Sequence, residues 1–137
     1  MALSGNREVD RYVDQALRSY LVAADAHVYK GAFVGLDGSG YARALQAGDA
    51  CVGLAYEECD NSGGANGDAR VRVYTQGDFL HALTGAALTD IGAAVYASDD
   101  GTLTLTATSN SLVGVCVDRP EANQIILRLD PRHSVAA

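Results

Sequence analysis

The amino-acid sequence predicts a mainly β fold, a small β-barrel or sandwich built from two duplicated β units, preceded by an N-terminal arm or short helix. Three observations predict it. First, a motif returns at a fixed offset of 61 residues: Gly31-Ala32, Val34, Gly40 and Val52-Gly53 recur as Gly92-Ala93, Val95, Gly101 and Val113-Gly114, with Asp49 answered by Asn110 and Leu54 by Val115. Matches of Ala and Val come cheaply, but three glycines held in register mark a repeated supersecondary unit. Second, from His27 onward short apolar runs alternate with Gly, Asp, Asn and Ser clusters, the signature of successive short strands. Third, 48% of residues are hydrophobic, only 7% are aromatic and none is Trp, so the core is built from Val, Leu, Ile and Ala.

Taken in order, residues 1–27 differ from the remainder. Val9, Tyr12, Val13, Ala16, Leu17, Tyr20 and Leu21 recur at spacings of three and four, which fits one face of a helix over Asn6 to Leu21. Tyr, Val and Ser are mediocre helix formers, so an extended arm reaching across a neighbour is the alternative. The segment's mix of Arg7, Arg11 and Arg18 with Glu8, Asp10 and Asp14 suits a wet interface rim, and its contacts are expected mainly with other subunits.

Residues 28–131 form the expected β domain, with repeat units 31–57 and 92–118. Strands are predicted near 28–36, 41–45, 50–57, 69–76, 78–83, 93–98, 102–106, 111–118 and 123–130. Asp37-Gly38-Ser39-Gly40 and Asp99-Asp100-Gly101 supply hairpin turns. Val71, Val73 and Thr75 alternate with Arg70, Arg72, Tyr74 and Gln76, the period of two of a strand with one partner-facing or solvated side. Pro131 ends the last strand because it has no amide hydrogen for the ladder, and residues 132–137 are a tail. Between Glu57 and Arg70 the run is too polar and Gly-rich to pack as an element, so a long flexible loop is expected there.

At 137 residues the chain fits one domain. A net charge of −7 and a pI near 4.7 repel phosphate backbones, which argues against nucleic acid and for an electropositive protein partner. Cys51, Cys59 and Cys116 are odd in number and lack CxxC spacing, so they are read as reduced. No apolar stretch approaches the ~18 residues of a membrane span, and Met-Ala-Leu-Ser-Gly-Asn-Arg lacks a signal-peptide layout, so synthesis and assembly in the cytoplasm are expected.

No spacing supports chemistry. The Asp60 to Asp68 loop carries oxygen ligands of the kind Ca²⁺ prefers, but it is too short for a helix-flanked calcium loop and no Glu closes it. His27, His81 and His133 show no zinc or Cys-His spacing with the cysteines. Gly38-Ser39-Gly40 is not a nucleophile elbow, and no phosphate-binding glycine loop occurs. No catalytic, metal or cofactor residue is singled out, and no cofactor is expected. The candidate contact residues are Arg7, Arg11, Tyr12, Arg18 and Tyr20 in the first segment and Arg70, Arg72 and Tyr74 on the alternating strand, because Arg and Tyr join large contact area to directed hydrogen bonds.

Five phrases carry a resemblance: Val28-Tyr-Lys-Gly-Ala-Phe-Val-Gly-Leu-Asp, Ala47-Gly-Asp-Ala-Cys-Val-Gly-Leu-Ala, Arg70-Val-Arg-Val-Tyr-Thr-Gln-Gly, Thr89-Asp-Ile-Gly-Ala-Ala-Val-Tyr-Ala-Ser-Asp-Asp-Gly-Thr-Leu and Asn110-Ser-Leu-Val-Gly-Val. In this order, over roughly residues 22 to 130, they resemble the small capsid cement, or head decoration, proteins of tailed bacteriophages. The resemblance implies a β-rich virion protein, commonly trimeric, that sits on the outside of the expanded head and clamps neighbouring major capsid protein subunits, with no catalytic residues. The first 20 residues and the Asp60 to Asp68 loop depart from shorter members. Two other classes compete: a small β-barrel hydrolase, which a pocket with a perturbed titratable pair would favour, and a carbohydrate-binding phage tail module, which the seven Tyr, two Phe and absent Trp support little.

Overall fold

The computed structural model describes Ser4 and residues 17–130. Twelve strands occur among them: β1 (Leu17–Leu21), β2 (His27–Val28), β3 (Phe33–Leu36), β4 (Ala42–Ala44), β5 (Ala50–Ala55), β6 (Cys59–Asp60), β7 (Arg70–Tyr74), β8 (Gly77–Ala82), β9 (Ala94–Ala97), β10 (Leu103–Thr104), β11 (Ser111–Glu121) and β12 (Gln124–Leu129), with one 3-10 turn at Leu88–Asp90. They form two five-stranded antiparallel sheets, ordered β1-β7-β5-β3-β4 and β10-β9-β11-β12-β8, and a small β2-β6 pair. The sheets do not close into a barrel, so the arrangement is sandwich-like and mainly β.

The duplication is carried in backbone register. In the first sheet Phe33 lies opposite Leu54, Val34 opposite Gly53, Gly35 opposite Cys51 and Leu36 opposite Ala50, with a bulge after Val34. In the second, Ala94 lies opposite Val115, Val95 opposite Gly114, Tyr96 opposite Leu112 and Ala97 opposite Ser111, with the bulge at the same step. Each of these residues is 61 positions beyond its counterpart. Turn hydrogen bonds repeat as well: Gly31 N donates to Ala55 O and Gly92 N to Cys116 O, while Asp37 N donates to Tyr41 O and Ser98 N to Thr102 O. Gly31 and Gly92 both take positive φ, at 86° and 94°. Gly40 and Gly101 occupy corresponding turns, but only Gly40 has positive φ, because Asp37 organises the first turn and Asp99 the second.

The repeat extends beyond units 31–57 and 92–118. Strand β1 pairs with β7 as β8 pairs with β12, with Arg18 opposite Val73 and Phe79 opposite Leu127. Residues 17–21 are therefore the first strand of the first unit, and the helix expected up to Leu21 is corrected there to strand. The apolar spacing that suggested a helix also serves a strand whose Tyr20 is half-buried and leads into the fully buried Val22. The β body thus starts at Leu17 rather than at residue 28. The earlier part of the expected arm or helix, including Arg7, Arg11 and Tyr12, lies outside the described residues. The strand expected over 28–36 is likewise broken into β2 and β3, because Gly31 turns the chain with positive φ.

Each sheet has one Val-rich face, and the two are covered differently. In the first unit Val22, Val34, Val52, Val71 and Val73 pack with Val28 and Cys59 of the β2-β6 pair. In the second, Val95, Val113, Cys116, Ile125 and Leu127 pack against Phe33, Leu45 and Cys51 from the opposite face of the first sheet, with Leu54 and Tyr74 at the margin. Phe33 N donates to Asp100 O across this junction at 2.8 Å. The units therefore stack in sequence, the back of the first on the front of the second.

The loop expected to be flexible is instead the cover of the first unit. Asn61 is buried; its amide nitrogen donates to Ala23 O at 2.9 Å and Ala65 O at 3.1 Å, and Ala24 N donates to Asn66 Oδ1 at 2.7 Å. Asp60 and Asp68 accept from the backbone of Ser62 and Ala65. The polar side chains that argued against packing satisfy the loop's own amides, so the run folds as a knitted cap.

Gly53 and Gly114 mark the closest approach within each sheet. A Cβ on Gly53 would meet the Tyr74 carbonyl, and one on Gly114 the Arg128 carbonyl. Gly53→Ala and Gly114→Ala should each destabilise the domain by roughly 3 kcal/mol, because rigid backbone must shift. Gly38→Ala, with nothing within 4 Å of the new methyl, should leave stability unchanged. Denaturant unfolding of the three variants checks the expectation.

Candidate functional site

Five of the eight candidate contact residues are described: Arg18, Tyr20, Arg70, Arg72 and Tyr74, all on the paired strands β1 and β7. Strand pairing brings them together but does not leave them equally available. Tyr74 is half-buried, its ring 5.3 Å from both Phe79 and Tyr56, and so serves the junction between the sheets. Arg72 is held in a fork by Glu57, with Nε 2.9 Å from Oε2 and Nη2 2.9 Å from Oε1, and lies 5.0 Å over the Tyr56 ring. Its guanidinium is exposed at one face yet already paired. Arg70 is exposed and donates to Ser19 Oγ at 3.3 Å, while Arg18 is exposed beside Tyr20. Burial pushes the Tyr20 phenol above its ordinary range, against the pull of Arg18.

Two further arginines are held in the same local way. Arg128 clasps Asp78 at 2.9 and 3.0 Å, and Arg43 clasps the nearly buried Asp49 at 3.0 and 2.8 Å. His27 Nε2 lies 2.7 Å from Glu58 Oε2 beside the β2-β6 pair, with Tyr29 stacked on its ring at 4.3 Å. Hydrogen bonds from Arg72 hold the Glu57 carboxyl below its usual range, and those from Arg128 do the same for Asp78.

The cysteines are free and buried. Burial pushes the Cys51 thiol up to about 12, far from the thiolate a nucleophile needs. Among the described residues no group of three or more His, Cys, Asp or Glu is placed to hold a metal ion, and no helix is long and apolar enough to cross a membrane.

What sequence reasoning missed is the back of the second sheet. Val115 lies opposite Ala94 and Arg128, Leu112 opposite Tyr96, and Ile126 opposite Leu80 and Asp118. Leu80 is 58% exposed and Tyr96, Leu112, Val115 and Ile126 are half-buried. The alternation of residues 111–118 signalled two faces, but only the stacking order reveals that one is not covered by the other sheet.

Two antiparallel sheets joined by internal stacking, with buried thiols and three arginines paired within the chain, define a β-sandwich domain. The sequence profile of the phage cement proteins matches residues 14–129, and the chain belongs to that family, whose members are structural proteins of the phage capsid. Neither the curated proteins nor the solved structures include a significant match.

Two measurements follow. A carboxylate with a depressed folded pKa stabilises the fold fully above its unfolded value and loses that contribution as pH falls through the folded one. Melting temperature should therefore be flat from pH 7 to 5 and fall below about pH 4, with a shallower acid decline in Glu57→Gln and Asp78→Asn. Separately, Cys51 of the native protein should resist iodoacetamide at pH 8 and be alkylated once unfolded, as mass mapping of the labelled peptide would show.

Proposed function

We propose that the protein is a cement subunit that binds the outer surface of a phage head and stabilises contacts between neighbouring major capsid protein subunits, without catalytic activity. The observation that carries this reading is the family match over residues 14–129. The architecture supports it. A β domain with charges paired locally and thiols buried offers contact surface rather than reactive groups. Its net charge of −7 suits an electropositive protein surface. Binding to the folded state adds stability by linkage, which is what a shell-reinforcing protein exploits.

The same proposal includes self-association, as a trimer or dimer, and exposed contacts on the β1-β7 edge. Arg18 and Arg70 remain outward there, whereas Arg72 and Tyr74 already have intramolecular roles. Arg7, Arg11 and Tyr12 belong to the segment proposed to contact neighbouring subunits.

The test is sedimentation with DNA-filled heads that lack the protein, coupled to native mass measurement of the free protein. Co-sedimentation, with heads that resist heat or mild denaturant better once decorated, is the expected result. A protein that is purely monomeric and leaves heads bare contradicts the proposal.

A further inference from the structure

The two sheets are equivalent strand for strand, yet their back faces have different fates. On the first sheet that face carries Phe33, Cys51, Leu54 and Tyr74, which pack on the second sheet. The corresponding positions on the second sheet are Ala94, Leu112, Val115 and Arg128, and nothing in the chain's described residues stacks on them as a third sheet. Replacing a Phe by Ala94 and a Tyr by Arg128 removes the bulk that fills the internal junction. A hollow of about 140 Å³ remains between Ala94, Tyr96, Leu112, Gly114 and Val115. Such a face is too hollow and too charged for a core, and it suits an interface with an apolar centre and a polar rim.

We infer that this open face of the second sheet is the surface by which the domain grips its capsid partner, and that the partner meets it with an apolar side chain seated at Ala94 and with Arg or Lys along the edge. The inference rests on the cement reading. Its charge requirement comes from the border of the face, where Asp118 is exposed and Asp78 is clasped to Arg128, on a chain whose net charge is −7. A cationic rim on the partner complements that border.

A second copy of the chain fits poorly. The surface complementary to this face, by the chain's own stacking, is a Val-rich front. In every copy the first front is sealed by the β2-β6 pair and the second by the first sheet. Each copy also brings a net charge of −7.

Three variants test the inference: Leu80→Arg and Asp118→Lys on the open face, and Tyr29→Arg on the capped side, where Tyr29 is 59% exposed. All three sites are exposed, so melting temperature should hardly move. Binding to DNA-filled heads lacking the protein should weaken about tenfold or more for Leu80→Arg and Asp118→Lys and stay unchanged for Tyr29→Arg. Added salt should weaken wild-type binding. Wild-type binding with undiminished Leu80→Arg and Asp118→Lys variants would overturn the inference and leave the cement reading standing. An altered native mass of the free Leu80→Arg protein would also overturn it, by showing the face to be a contact between copies. Heads left bare by the wild type would sink the cement reading and the inference with it.

Discussion

Covering a Val-rich sheet face is the constraint on which the molecule depends. An antiparallel sheet of five short strands leaves one apolar side that water would otherwise solvate, and burying each Val or Leu stabilises the fold by ~1.5–3 kcal/mol. Both units carry such a face, but only one can be covered by the other. The second unit uses the back of the first, with Phe33 as the large buried ring. The first unit must be covered by something else, and the inserted residues between β5 and β7 provide it.

That insertion explains the one break in the repeat. Counterparts lie 61 residues apart through β5 and β11, but Tyr74 and Arg128, which hold equivalent positions against Leu54 and Val115, are 54 apart. The second unit turns tightly between Glu121 and Gln124, with Asn123 at φ 62°, because its front is already occupied. The first unit spends the longer connection on β6 and the Asn61 loop, whose buried amide ties Ala23 to Ala65. Repeat arrays commonly end in an atypical capping element, and here the cap is built into the first unit. At the other end no cap of this kind is present among the described residues.

The contact residues expected from composition illustrate how pairing redistributes availability. Arg72 and Tyr74 were natural candidates on an alternating strand, and both do sit on one face of β7. Glu57, which is 15 residues away in sequence, folds back to neutralise Arg72, while Tyr74 is drawn into the junction by Phe79 of the following strand. Leu80, Tyr96 and Ile126 were not singled out because one apolar residue per alternation step looks the same whether its side is buried or open.

The sequence alone determined the mainly β class, the short strands and their turns, and the repeat itself, because glycines at Gly31, Gly53, Gly92 and Gly114 answer to backbone geometry that is local to each unit. It also pointed to thiols that do not pair with one another, and the structure has all three free. Tertiary structure decided that residues 17–21 are strand rather than helix, since spacings of three and four serve either and only pairing with β7 chooses between them. It decided that the polar run after Glu57 is a cap, since its amides find partners only once Ala23 and Ala26 are brought near. And it decided which apolar face remains open, because burial is a property of what lies opposite a strand, and no residue's own sequence context contains that.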